Sequence, residues 1–234
     1  MLVLASASPR RRELLAQAGF SFEVHPAHIP EDLYSGEDPI AYVTRLAREK
    51  AQAVFRELAL CQGTTSVVPQ RQEKEGGALA LGAPSFSRPL RKGWETSTLD
   101  PSPSSRLVVL GADTTVTLDN CILGKPSDPA DAARILRLLS GRTHRVITGV
   151  ALVTASSTEV AAEVTAVRFL TLSEEEIAAY VATGEPMDKA GAYAIQGRAA
   201  RWIPRIEGDY FNVVGLPIAL VATLLESRRP PATA

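Results

Sequence analysis

Three helix starts written in the same two-residue form, Ser8-Pro9, Asp38-Pro39 and Asp128-Pro129, constrain this chain more than any other feature. Each sets an N-capping side chain before a proline, whose fixed φ and missing N–H suit the first helical position. Apolar spacing then fills in the helices. Leu14, Leu15 and Ala18 form the first face, with Gly19 as its stop. The second helix runs to about Leu58, with Ile40, Val43, Ala47 and Val54 on one side. The third carries Ile135, Leu136 and Leu139 and stops at Gly141. Leu2 to Ala5 and Leu107 to Leu110 are short apolar runs that read as buried strands, and 144–155 with 159–170 read as an antiparallel pair. Ser173 and Glu176 form a capping box for a helix ending near Gly184. Short strands are expected around Tyr193 and Ile203, and a last helix over Leu216 to Leu225. Strands and helices mix without a strict βαβ rhythm and no internal repeat is visible. The expected class is α/β, a mixed central sheet with helices on its faces.

Residues 60–105 break this pattern. They mix Gly, Pro, Ser and Thr with charge, show little periodicity, and read as a disordered insertion. The remainder suits one domain over 1–227, followed by a tail at 228–234. Net charge is −1, from 25 basic and 26 acidic residues, so no global field draws in nucleic acid or membrane. The two cysteines, Cys61 and Cys121, suggest neither a disulfide framework nor a zinc site and point to a reducing compartment. No signal peptide or membrane-length apolar run is read, so a cytoplasmic location is expected.

Four polar clusters could carry chemistry. The first holds Ser6, Ser8 and the run Arg10-Arg11-Arg12 at the start of a helix, where the macrodipole disfavours cations. Two readings are open: an anion held by backbone N–H groups, hydroxyls and guanidinium forks together, or an exposed basic helix face. The second is GADTTV, 111–116, where Asp113 follows an apolar strand and is expected at the sheet rim, where α/β ligand sites form. The third is Gly124-Lys125-Pro126. The fourth is EPMDKAGAYAIQG, 185–197, whose small residues allow a ligand close to the backbone. Lys50 adds a question of its own. It shares the apolar face of the second helix, so it either snorkels or points into a cleft. His25 and His28 lie in a proline-flanked loop and His144 begins a strand, so none is read as a metal ligand.

ASASPRR, the REKA around Lys50, GADT, ILGKP, LSGRTHRVITGVAL, GEPMDKAGAYAIQG and NVVGLP occur in the order of the Maf family. The chain resembles the pyrimidine-type Maf nucleoside triphosphate pyrophosphatases over 1–58 and 107–226. It departs from the compact pattern in the 60–105 insertion and in Ala194, where the family usually has Gly. The resemblance implies a Maf/inosine-triphosphatase-like fold, a homodimer, and hydrolysis of a nucleoside triphosphate to the monophosphate and pyrophosphate. A divalent cation, Mg²⁺ or Mn²⁺, would assist water attack at the α-phosphorus. By the same resemblance Asp113 is the proton acceptor, a metal ligand, or both, and Glu31 is a metal ligand. Lys50 and Lys125 would hold phosphates, as would Ser6 and Arg10, with Arg11 a weaker candidate.

Within the family, the residues at Arg10, Thr114 and Gln196 separate the substrate classes, and here they match the dTTP/UTP class. A glutamine amide both donates to and accepts from a pyrimidine edge. The rivals are a 7-methyl-GTP pyrophosphatase on the same fold and a nucleotide-binding cell-division regulator with little turnover. A methylase partner domain would require a fused second domain.

Overall fold

The computed structural model describes residues 1–63 and 107–228. Its strands are β1 (Leu2–Leu4), β2 (Glu23–Val24), β3 (Val108–Leu118), β4 (Cys121–Leu123), β5 (Thr143–Val153), β6 (Thr158–Arg168) and β7 (Arg205–Glu207). They form one sheet in the order β2-β1-β3-β5-β6-β7, with β4 on β3. β1 is parallel to β2 and β3, and the remaining pairs are antiparallel. The helices are α1 (Pro9–Gln17), α2 (Pro39–Gly63), α3 (Pro129–Leu139), α4 (Glu174–Val181), α5 (Tyr210–Val214) and α6 (Ile218–Glu226). This is the mixed sheet with helices expected from sequence.

The three cap-and-proline starts behave as their chemistry dictates. Ser8 accepts from the Arg11 N–H at 3.5 Å, Asp38 from Ile40 at 2.8 Å, and Asp128 from Asp131 at 2.8 Å. Ser173 and Glu176 close the capping box at α4. Gly19 and Gly141 take φ of 79° and 69° just past α1 and α3.

Side-chain parity along the long strands sorts the core into two layers. Val109, Ala151 and Val153 pack against Ala47, Ala51 and Val54 of α2. Leu110, Ala112, Val150 and Leu152 face the other way, onto Leu14 and Leu15 of α1 and Val221 of α6. Further along that second face, Val116 and Val146 meet Ile135, Leu136 and Leu139 of α3. Of the expected α2 face, Val43, Ala47 and Val54 are buried, whereas Ile40 is 45% exposed.

Several expectations need correction. Asp113 does not follow a strand: β3 continues through it, pairing Asp113 with Gly149 of β5. α2 extends past Leu58 to Gly63, so residues 60–63 are helical. The rest of the 60–105 stretch, and the tail beyond Arg228, lie outside the described residues. No strand forms at Tyr193, because Gly191 and Ala192 take left-handed φ of 72° and 57° and turn the chain. The strand expected around Ile203 begins at Arg205. The last helix forms close to where it is expected, as α6, but a short helix before it, α5, ends where Gly215 turns at φ 127° and has no counterpart in the sequence reading. β2 and β4 were not anticipated. No helix among the described residues is long and apolar enough to cross a membrane.

Candidate active site

β3 owes the site to an interruption along one of its edges. β1 pairs with Leu110 and the residues before it, and β4 pairs with Val116 and the residues after it. Between them, residues 111–115 have β5 as their neighbour but, among the described residues, no strand on the other side. A cleft of about 640 Å³ opens there. Gly111, Asp113 and Thr115 face α2, while Ala112 and Thr114 face α1.

On the α2 side the helix lies directly on the strands. A Cβ at Gly111 would stand 2.1 Å from the Ala47 carbonyl oxygen, and one at Gly149 would stand 2.4 Å from that of Val43. This close approach lets Lys50 reach across to β3. Its ammonium donates to Asp113 Oδ1 at 2.7 Å and lies 2.6 Å from Glu31 Oε1. Lys50 and Asp113 are each 8% exposed. Of the two sequence readings of Lys50, the geometry gives the one that points into a cleft. Burial pushes the Glu31 carboxyl upward, but the hydrogen bond and charge of Lys50, joined by Lys125 and Arg11, outweigh it and hold the pKa below the ordinary value.

On the α1 side the arginine run separates into three roles. Arg12 is exposed. Arg10 lines the cleft and stands 3.9 Å from Asp188. Arg11 turns inward and makes four hydrogen bonds: Nε to the Gly215 carbonyl at 2.9 Å, Nη1 to the Ala112 carbonyl at 2.8 Å and to Ser6 Oγ at 3.1 Å, and Nη2 to Thr114 Oγ1 at 3.0 Å. Arg11 therefore occupies the open β3 edge as a clamp, four of its five donors spent on the protein. Burial lowers its pKa, partly offset by the charges of Asp113 and Glu31. Thr114 is tied into the same network through Thr148 Oγ1 at 2.9 Å.

The third wall comes from two loops joined by backbone. The Gly191 N–H donates to the Gly124 carbonyl at 3.1 Å, which draws the 185–197 loop against the turn carrying Lys125. A Cβ at Gly191 would meet Val116 at 2.7 Å. Tyr180 of α4 holds the loop at both ends, donating to Glu185 Oε1 at 2.8 Å and accepting from the Ala194 N–H at 3.2 Å. Glu185 is therefore a fastener. Gln196 stays exposed at the rim, and Lys189 pairs with Asp188 within the cleft. Ser6, Arg10, Arg11 and Glu31 line this one cleft together with Lys50, Asp113, Thr114, Lys125 and Gln196.

Sequence reasoning missed Tyr42, which lines the cleft and donates to the Glu31 carbonyl at 3.0 Å. No local signal marks it, because its partner lies on the loop before α2. His144 lies outside the cleft, buried against Phe169 and Tyr193. His25 pairs with Glu57 at 3.1 Å. Trp202 is core, and Trp94 lies outside the described residues.

Among the described residues no group of three or more His, Cys, Asp or Glu is placed to hold a metal ion. Asp113 and Glu31 nevertheless converge on one cationic point, now filled by the Lys50 ammonium. Two carboxylates completed by water and substrate oxygens suit Mg²⁺ chemistry, which seldom uses an all-protein cage.

Comparison with known proteins gives a consistent picture. The family profile described as Maf-like protein matches residues 1–228. A dTTP/UTP pyrophosphatase of Koribacter versatilis is 46% identical over 224 residues, covering 96% of this chain and 92% of that protein. A dTTP/UTP pyrophosphatase of Moorella thermoacetica is also 46% identical, over 226 residues, with 96% and 93% covered. One from Shewanella denitrificans is 45% identical over 234 residues, with 96% of each chain covered.

Proposed function

The chain belongs to the Maf family, and from that premise we propose that it hydrolyses dTTP and UTP to the nucleoside monophosphate and pyrophosphate. The observation that carries the reading is the buried Lys50 set between Asp113 and Glu31, in a cleft shared with Lys125, Arg10 and Gln196. A buried charge cluster adds little stability, so its place in an open cleft points to chemistry.

The residues divide the work by position. Asp113 accepts the proton of the attacking water, its carboxylate oriented by the Lys50 ammonium on Oδ1. Lys125 and Arg10 receive the polyphosphate, Lys125 as a point charge and Arg10 as a fork released from Asp188. Ser6 and Arg11 fix the floor of the cleft, and Arg11 holds Thr114 and the Gly215 turn in register. Gln196 offers donor and acceptor together to a pyrimidine edge. Glu31 and Asp113 would hold a divalent cation, which when bound supplies charge neutralisation at the phosphates. The proposal includes a homodimeric, cytoplasmic enzyme with no nucleic-acid or membrane partner, in keeping with a net charge of −1.

Turnover of dTTP in ¹⁸O-labelled water tests the reaction. The label should enter dTMP, as attack at the α-phosphorus requires, and Asp113→Asn should lower turnover by about 100-fold or more. Label in the pyrophosphate, or an unimpaired variant, would contradict this mechanism.

A further inference from the structure

Glu31 sits on a segment without regular secondary structure, between β2 and α2. Something other than a backbone ladder must therefore fix its carboxylate, which is half-exposed and yet meets Lys50 at 2.6 Å. α2 supplies the fixings. Tyr42 holds the carbonyl of Glu31, and Arg45 Nη2 holds the next carbonyl, that of Asp32, at 2.8 Å. The same guanidinium forks onto Glu37, Nε to Oε1 at 2.6 Å and Nη2 to Oε2 at 2.7 Å. It also lies 3.9 Å above the Tyr34 ring and 3.3 Å from Glu49 Oε2. Arg45 and Glu37 side chains are only 11% and 10% exposed. One arginine thus gathers Asp32, Tyr34 and Glu37 onto the helix that carries Lys50.

We propose that Arg45 is a positioning residue for Glu31: it fastens residues 32–37 to α2 and so sets how well the Glu31–Asp113 pair takes a divalent cation. This rests on the metal-assisted reading above. Arg45 is absent from the cleft wall and reaches Glu31 through the loop, its guanidinium also lying 5.6 Å from the centre of the Tyr42 ring. Planarity matters as much as charge here, because a bidentate fork, a carbonyl contact and a ring stack are made at once. Lysine keeps the charge and loses that geometry.

The test combines a kinetic cycle with a measurement that needs no substrate. Arg45→Ala should raise the Mn²⁺ concentration needed for half-maximal dTTP turnover about tenfold, as outer supports of metal ligands commonly do, with little change in KM for dTTP. Arg45→Lys should fall between that variant and the wild type. In a Glu31→Gln background Arg45→Ala should cost nothing further, because its effect runs through Glu31. Independently, hydrogen exchange of the protein without metal or nucleotide should show faster exchange at the Tyr34 and Glu37 amides, with α2 unchanged. Should Arg45→Ala fail to fold, Tyr42→Phe, which removes only the hydrogen bond to the Glu31 carbonyl, should move the Mn²⁺ requirement the same way by a smaller factor. Additive losses in the Glu31→Gln background, or unchanged amide exchange, would overturn the proposal. A wild type that turns over neither dTTP nor UTP would defeat the proposed reaction instead, and the exchange measurement alone would then decide the role of Arg45.

Discussion

At the scale of single residues, the ionisable groups have been spent unevenly. Lys50 and Asp113 are buried together where well-packed apolar groups would serve stability as well or better, and they face the cleft. Arg11 and Glu185, which the sequence displays in the same polar clusters as the reactive groups, act as fasteners. His144 is a third case. Its Nε2 meets Tyr193 Oη at 2.8 Å, its Nδ1 has no hydrogen-bond partner among the described residues, and burial pushes its pKa down to about 4. The sign follows from linkage. A histidine whose folded pKa is lowered leaves stability intact above the unfolded value. As pH falls from about 6.5 toward 4, the unfolded chain takes up a proton that the folded one refuses, and stability drops. The loss reaches at most about 3 kcal/mol at the lower end of the window. His144→Gln should therefore lose less Tm than the wild type between pH 7.5 and pH 5. Parallel losses in calorimetry would show that His144 does not titrate as a buried group.

Among the elements, the contact of α2 with β3 and β5 is the one that builds the site. Two glycines let helix backbone touch strand backbone, and Lys50 spans the remaining gap. Gly149→Ala would drive a methyl group into the Val43 carbonyl, which cannot move without the helix. The variant should lose about 1–3 kcal/mol in urea unfolding, and turnover should fall with it as Lys50 is drawn from Asp113. Unaltered stability would mean that α2 floats on the sheet. Helix starts, the β5–β6 pair and the place of Lys50 on the apolar face of α2 were legible because caps, alternation and helical spacing are local signals, whereas the choice between snorkelling and a cleft needed the fold. The passage of β3 through Asp113 was not legible, since glycine and aspartate disfavour strands and only the nine residue pairs made with β5 override them. The turn at Gly191 and Ala192 was hidden for a related reason: an alanine gives no warning of positive φ. Tyr42 and Arg45 read as ordinary polar helix residues, because their partners lie on a loop whose path no local rule sets.

For the molecule as a whole, the sheet carries α2 on one face and α1, α3 and α6 on the other, and the cleft crosses between the faces at the interrupted edge of β3. That location explains how cations from α1, α2 and the β4–α3 turn meet acids from β3 and a loop on a chain whose net charge is only −1. It also leaves Gln196 at the rim, where a base would be read, and Lys125 on a neighbouring loop, where phosphates would be held. Selectivity for a pyrimidine triphosphate is then a property of the assembled cleft. The most direct measurement is pyrophosphate release from dTTP, UTP, CTP, dATP, GTP and 7-methyl-GTP, with Mg²⁺ or Mn²⁺, beside Asp113→Asn. Turnover led by dTTP and UTP and lost in the variant is the expected result. Turnover confined to 7-methyl-GTP, or none from folded protein that still binds nucleotide, would contradict it.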